Sequence, residues 1–561
     1  MQNNSLNSLL RDKLQKITLE LKEDNIFESD FDFNDLSFNL SEPNINNASE
    51  KTYEYATNIA FILKKYTKIN VLQLAQLISD KLSKLTLNNQ KLFQYVDIAA
   101  PGFINMSFTN VAYAYVLNNI LESQEAYGSN QIIWDETIKP INVEYVSANP
   151  TGSLHVGHAR GAAIGDTLIR IKRFYGEKVV AEYYVNDAGN QIENLVESAK
   201  VRYFELFNIN LPMPQECYRG SDIINLAIEI KQKYNDYFMN DFDQKRWEFR
   251  NVCVDFLLNK IRQDLEEFGV VFDKFSSELA IKNSGQIEAT LEKLKKYTYM
   301  SEGALFLKTS DFGDDKDRVL IKSDNTLTYF TPDIAYHLQK MQHSSKLINI
   351  WGADHSGYVA RMSIALQCLG YPKQLLDVLI VQLVRLIKDG QEFKMSKRAG
   401  TSVTLADLLE ASSKDAVRFM MVTRDANTKF DFDIDKSNSL DQNNPVFSVQ
   451  YAHSRATSVL KKAGEFNYNY DEEFNLYPKM AKLILHLDSF SETIKAIVQT
   501  NKIQLMPTYL VTLSNLYNSF YSEHKIIGSK NEAALLSLTQ ATKNILKVGL
   551  ELIGVSAPEQ M

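Results

Sequence analysis

With 561 residues, 45% of them hydrophobic, the chain is long enough for three or four domains with conventional cores. A net charge of −8 excludes an overall basic field, so any nucleic-acid contact has to be gathered into local basic strips. Three widely spaced cysteines, Cys217, Cys253 and Cys368, with no CxxC pair, argue against a structural zinc or a disulfide framework and fit a reducing, cytoplasmic compartment.

The opening "MQNNSLNSLLRDKLQKITLELKEDN" sets Leu and Ile at helical spacing among charges and lacks the apolar centre of a signal peptide. No run of about 18 apolar residues occurs, so no membrane span is expected. Over 1–120 the pattern predicts an amphipathic helix, a strand at "FDFNDLSFNL", helices at 50–66 and 69–84, and the strand-like "FQYVDIAAPGFINMSFT", together a small α+β domain. The block 121–410 reads differently. Strand "INVEYVS", helix "GHARGAAIGDTLIRIKRFYG" and strand "KVVAEYYVND" make a parallel α/β unit. A mostly helical insertion is expected at about 188–300. Strands return at "GALFLKTSDFG", "RVLIKSDNTLTYFT", "KLINIWGAD" and "LDVLIVQLVRLIKDG", with helices "PDIAYHLQKMQ" and "GYVARMSIALQCLG" among them. Beyond about 410 no buried strand is expected, and 411–561 reads as a linker and an all-α helical bundle.

Two of the eight histidines, His155 and His158, stand three apart where a strand hands over to a helix. Ligands of open α/β sheets bind beyond the carboxyl ends of the strands, where a helix start offers free N–H groups and partial positive charge. Two imidazoles on one face there, with Gly157 baring the backbone between them for a flat ring, suit a nucleotide whose phosphate changes hands. Either histidine alone would more often be a cap or a surface residue. Gly157, Gly161 and Gly165, four apart, fit close helix packing better than a dinucleotide fingerprint. Downstream, "GQEFKMSKRAGTS" follows an apolar strand and brings Lys394 and Lys397 around Met395 and Ser396. A lysine-rich loop is ordinarily a solvated surface; together with an upstream HxGH, a phosphate-facing role gains weight.

The pair "HVGH" and "KMSKR" resembles the HIGH and KMSKS signatures of class I aminoacyl-tRNA synthetases. "VEYVSANPTGSLHVGHARG", "YVNDAGNQI", "YFTPDIAYH", "IWGADHSGYVARM", "PGFIN", "DAVRF", "NPVFSVQYAHSR" and the closing "PEQM" together resemble the arginyl-tRNA synthetases through nearly the whole chain. The resemblance implies a class I Rossmann-like catalytic domain between an N-terminal α+β domain that touches the D-arm and a C-terminal anticodon-binding bundle. It implies ATP with Mg²⁺ as substrate complex and L-arginine and tRNA(Arg) as partners; no structural zinc is expected from the cysteine spacing, and a monomer is expected.

A guanidinium needs carboxylates placed for paired hydrogen bonds. Glu144 enters the HVGH turn, and Asp333 falls in the first turn of a helix that Thr331 is expected to cap before Pro332. By resemblance Glu144, Tyr329 and Asp333 hold the guanidinium, while Ser147 and Asn149 bind the α-amino and carboxylate end. His155, Gly157, His158, Lys394, Met395, Ser396 and Lys397 face ATP, with Asp354 and His355 toward ribose and adenine. "WGADH" departs from the family pattern, since Gly352 stands where some members carry a Gln that assists with the amino group. Phe103 and Asn105 in "GFIN" are candidates for an exposed base, and Tyr451 with Arg455 for further RNA contact. Rival readings are another class I synthetase, a short adenylyltransferase, or a catalytically silent tRNA-binding paralogue.

Overall fold

Five short parallel strands make the central sheet of the computed structural model, which describes residues 5–43, 51–130, 134–393, 403–466 and 476–561. They are β1 (Ile141–Glu144), β2 (Val179–Val185), β3 (Lys274–Ser277), β4 (Lys346–Gly352) and β5 (Leu376–Val381), in the spatial order β5-β4-β1-β2-β3. Helix α1 (Val156–Tyr175) joins β1 to β2, and α2 (Phe330–His343) leads to β4. Strand order reverses between β1 and β4. In an open α/β sheet the ligand crevice lies at that reversal, beyond the carboxyl ends of the two strands. The nucleotide fold expected from the strand–helix–strand pattern is therefore present, with the HVGH turn at its mouth.

α1 packs tightly because Gly165 meets Tyr145: a Cβ there would stand 2.9 Å from the Tyr145 Cβ and nearer still to its ring. Gly161 has no such neighbour within 4 Å, so the expectation that all three spaced glycines permit helix packing holds for Gly165 alone.

Several elements differ from the sequence reading. Within 188–300, helices Asn190–Glu205, Ser221–Tyr234 and Phe242–Glu267 enclose their own apolar cluster, but Lys274–Ser277 is an edge strand of the main sheet. The strand Ala304–Leu307 pairs antiparallel with Thr298–Ser301 on one side and with Arg318–Ile321 on the other, in a separate sheet. The apolar run 376–388 breaks after Val381, and Val384–Lys388 pairs with Gln391–Glu392 and with Phe430–Asp433. That last strand lies beyond 410, where none was expected; it buries Phe430 and Phe432 in alternation. In the N-terminal domain "FDFNDLSFNL" holds a 3₁₀ turn, Phe33–Asp35, and strand only at Leu40–Ser41. The segment read as one helix at 50–66 is strand Tyr55–Thr57 followed by helix Ile59–Leu63.

Of the bundle helices Pro445–Ala463, Pro478–Thr500, Leu505–Glu523 and Glu532–Leu552, the second and fourth pack directly on α1. Buried Lys172 of α1 donates to the Val498 carbonyl at 2.8 Å. Arg418, fully buried, donates to Asp166 of α1 at 2.5 Å and to the carbonyls of Ile553 at 3.0 Å and Phe268 at 3.1 Å. The N-terminal domain docks on the same bundle, where Asp488 accepts from the Leu6 amide at 2.8 Å and the Tyr127 hydroxyl at 3.0 Å.

Candidate active site

β1 leaves the sheet through a tight turn. Val146 and Ser147 have φ of 66° and 41°, and the Ser147 amide donates back to the Tyr145 carbonyl at 2.9 Å. A β-branched residue in that region stores about 1–3 kcal/mol of strain, which the surroundings must hold. They do so through Ser147, whose hydroxyl donates to Glu144 Oε1 at 3.2 Å and accepts the Tyr184 amide at 3.1 Å. Asn149 reaches across to Gln191 at 2.5 Å.

His155 then caps α1. Its Nδ1 accepts the Gly157 amide at 3.0 Å, while His158 Nδ1 accepts the His155 amide at 3.2 Å. The two rings stack at 3.7 Å between centroids. With Nδ1 accepting in both rings, each neutral imidazole carries its proton on Nε2. Desolvation lowers the His155 pKa and, with His155 beside it, pushes His158 down to about 4. Both therefore stand near neutral pH as uncharged donors. Gly157 serves this arrangement, since a Cβ would sit 2.9 Å from His155 Cε1. Here the bare backbone admits the protein's own imidazole.

Lys394, Met395, Ser396 and Lys397 lie outside the described residues. The chain that follows them returns to the HVGH turn: Val156 donates to the Val403 carbonyl at 3.2 Å, and Leu405 donates to the Leu154 carbonyl at 2.7 Å.

Beside the turn, a polar row crosses four strands in register, Asn349 on β4, Glu144 on β1, Glu182 on β2 and Lys274 on β3. Glu144 is buried at 6% exposure and accepts the buried Lys340 ammonium at 2.5 Å. It thus presents an ion pair rather than a free carboxylate. Asp333, on α2, accepts the Tyr358 hydroxyl at 2.8 Å. Burial raises its carboxyl to about 7, with Glu144 and Glu278 adding to the rise against Tyr358 and Lys340. The structure brings Glu144, Ser147 and Asp333 into one neighbourhood. Thr331 does not cap α2, because its hydroxyl donates to the Leu320 carbonyl at 2.7 Å and Tyr329 holds the cap position. Tyr329 is 77% exposed, and its carbonyl accepts the Asp333 amide at 3.4 Å.

Asp354 and His355 stand exposed at the carboxyl end of β4, 3.4 Å apart. At Gly352 a Cβ would fall 2.6 Å from Asp354 Oδ1. Among the RNA candidates, Phe103 is exposed and Asn105 is not; at 7% exposure, between Ala56 and Asp97, it is interior to its sheet. Arg455 donates to the Tyr451 hydroxyl at 3.1 Å and lies between the rings of Tyr451 and Tyr521. Sequence reasoning missed Lys340, His337, Asn349 and Tyr358. The spacing of Asp333, His337 and Lys340 along a helix was the available signal.

The three cysteines are free and buried, and among the described residues no group of His, Cys, Asp or Glu is placed to hold a metal ion. Among them, too, no helix is long and apolar enough to cross a membrane.

A reversing parallel sheet with paired imidazoles at its mouth is the catalytic architecture of the class I aminoacyl-tRNA synthetases, and residues 117–469 match the model of the class I (R) synthetase catalytic domain. Residues 4–108 match the arginyl-tRNA synthetase N-terminal domain and 449–561 the DALR anticodon-binding domain. The arginine–tRNA ligase of Bacillus subtilis is 42% identical over 528 residues, 91% of this chain and 93% of its own. That of Mesomycoplasma hyopneumoniae is 43% identical over 517 residues, 91% of this chain and 94% of its own. The Thermus thermophilus arginyl-tRNA synthetase structure shares the fold at a TM-score of 0.75 and 21% identity, covering 99% of this chain and all of that one. The chain belongs to the arginyl-tRNA synthetase family, ATP-using ligases that join arginine to tRNA.

Proposed function

We propose a division of labour for arginine activation and transfer to the 3′-terminal adenosine of tRNA(Arg). Arginine's carboxylate attacks the ATP α-phosphate in line, forming arginyl-adenylate and releasing pyrophosphate; the adenosine 2′-hydroxyl then takes the arginyl group. His155 and His158 donate Nε2–H to the phosphates, and Gly157 lets their rings fold against the backbone. Lys394 and Lys397, read from sequence, neutralise the departing pyrophosphate, with Met395 and Ser396 between them. Mg²⁺ arrives with ATP, and no zinc takes part. Asp354 and His355 face ribose and adenine. Asp333, Glu144 and Tyr329 hold the guanidinium, and Ser147 and Asn149 the α-amino and carboxylate end. Phe103, Tyr451 and Arg455 face RNA; buried Asn105 drops out. The protein works as a cytoplasmic monomer.

The observation that carries this reading is a carboxyl, Asp333, beside the Glu144 ion pair at the sheet's reversal point and itself without a paired cation among the described residues. A guanidinium binds the carboxylate, not the acid. Because burial raises this carboxyl to about 7, its proton must leave before arginine can pair with it. Arginine affinity, measured by equilibrium dialysis with tRNA present, is expected to rise as pH goes from 6 to 8, by up to about tenfold per unit below the midpoint, and then level off. An affinity that stays flat over that range removes Asp333 from the pocket.

A further inference from the structure

Asp333, His337 and Lys340 share one face of α2, and that face meets Glu144 on β1 and Asn349 on β4. Lys340 is 2% exposed. Its ammonium donates to Glu144 at 2.5 Å and to Asn349 Oδ1 at 3.1 Å. Asn349 donates its amide to His337 Nε2 at 2.7 Å, and His337 Nδ1–H donates to the Asp333 carbonyl at 2.8 Å. Every donor and acceptor in this chain is assigned: Asp333 O can only accept, which fixes the His337 tautomer, and that fixes the Asn349 amide. One carboxylate is thereby tied to the backbone that carries the other. The charges differ along the way. Lys340 answers Glu144, Lys274 answers Glu182 at 3.2 Å, and Lys282 answers Glu278 at 2.7 Å. Among the described residues no cation pairs with Asp333; the Tyr358 hydroxyl is its partner.

We infer that Lys340 is the positioning residue of the guanidinium pocket: it holds Glu144 and, through Asn349 and His337, the first turn of α2, and by neutralising Glu144 it leaves Asp333 as the carboxylate whose charge a guanidinium meets. This rests on the pocket reading above. A planar guanidinium fork pairs well only with oxygens fixed in place, and a misplacement of about 1 Å costs up to about 10²-fold.

The test is ATP–pyrophosphate exchange with tRNA(Arg) present, comparing the unmodified enzyme with Lys340→Met, Lys340→Arg and Asp333→Asn. Lys340→Met is expected to raise the arginine KM about tenfold or more and to leave the ATP KM within about threefold. Lys340→Arg should restore most of the affinity, because a guanidinium can answer the same two acceptors. Asp333→Asn should raise the arginine KM about 10²-fold. An arginine KM that is unchanged or lowered in Lys340→Met overturns the inference even if Asp333→Asn behaves as expected. An Asp333→Asn enzyme with normal arginine KM overturns the pocket reading itself. Should Lys340→Met fail to fold by circular dichroism, Asn349→Ala decides, since it cuts the link from Lys340 to His337 and removes neither a charge nor a pocket carboxylate. A raised arginine KM with an ATP KM within about threefold in Asn349→Ala supports positioning, and a normal arginine KM refutes it.

Discussion

Replacing Lys394 by alanine is expected to slow arginyl-adenylate formation about 10²–10³-fold, the usual effect of deleting one electrostatic donor aimed at developing charge. The state of the two imidazoles sharpens this expectation. His155 and His158 each accept through Nδ1, and desolvation lowers both pKa values, so they offer hydrogen bonds without positive charge. Phosphoryl transfer asks a protein mainly for positioning and charge neutralisation. On the proposed mechanism the neutralisation then falls to the ammonium groups of "KMSKR" and to the Mg²⁺ that accompanies ATP. Beyond that motif the chain rejoins the HVGH turn at Val403, whose carbonyl accepts the Val156 amide at the start of α1. ATP–pyrophosphate exchange with tRNA present makes the measurement. A near-normal rate in Lys394→Ala, with arginine and ATP saturating, takes the lysine out of the chemistry.

Arg418→Ala should lower the unfolding free energy by about 3–5 kcal/mol, because it takes one of two guanidinium partners from buried Asp166, deprives the Ile553 and Phe268 carbonyls of this donor and empties a fully buried site. The guanidinium is fully buried and reaches three separate parts of the chain, Asp166 on α1, Phe268 before β3 and Ile553 at the end of the last helix. Its space is made by Gly554, whose φ is 69° and where a Cβ would overlap the guanidinium at 2.2 Å. Urea unfolding followed by tryptophan fluorescence checks the magnitude. A loss under about 1 kcal/mol, the level of an exposed ion pair, would mean that Arg170, already 2.6 Å from Asp166, compensates that carboxylate by itself.

What the sequence disclosed followed from how locally each feature is specified. β1, α1 and β2 were legible because their apolar residues alternate or recur at the period of the element, and because His155 and Gly176 mark both ends of α1. β3 was not: "KFSS" has no apolar run, since an edge strand pairs on one side and buries little. Phe430–Asp433 escaped for the same brevity. Glu144 and Asp333 were found as carboxylates, but their inequality was hidden, because Lys340 looks in sequence like any lysine on a solvated helix face. Only the register that sets Asn349 opposite Glu144, with α2 above them, shows that lysine to be interior. Asn105 illustrates the converse. It sits in "GFIN", read as a strand end that offers side chains to an exposed base, and it is a buried position within the strand.

The seating of Lys172 on the Val498 carbonyl and of Arg418 on the Ile553 carbonyl bears on modularity. Although the chain reads as three successive units, the boundary near residue 449 is not a fracture line. A fragment cut there to isolate the catalytic half would carry two buried cations whose acceptors had been left behind: Lys172, on the very helix that begins with the paired imidazoles, and Arg418, joined to that helix through Asp166. The bundle is therefore part of the scaffold of the reaction centre. Exchanging it between homologous enzymes would call for transplanting the acceptor carbonyls and their glycine along with the RNA-facing surface.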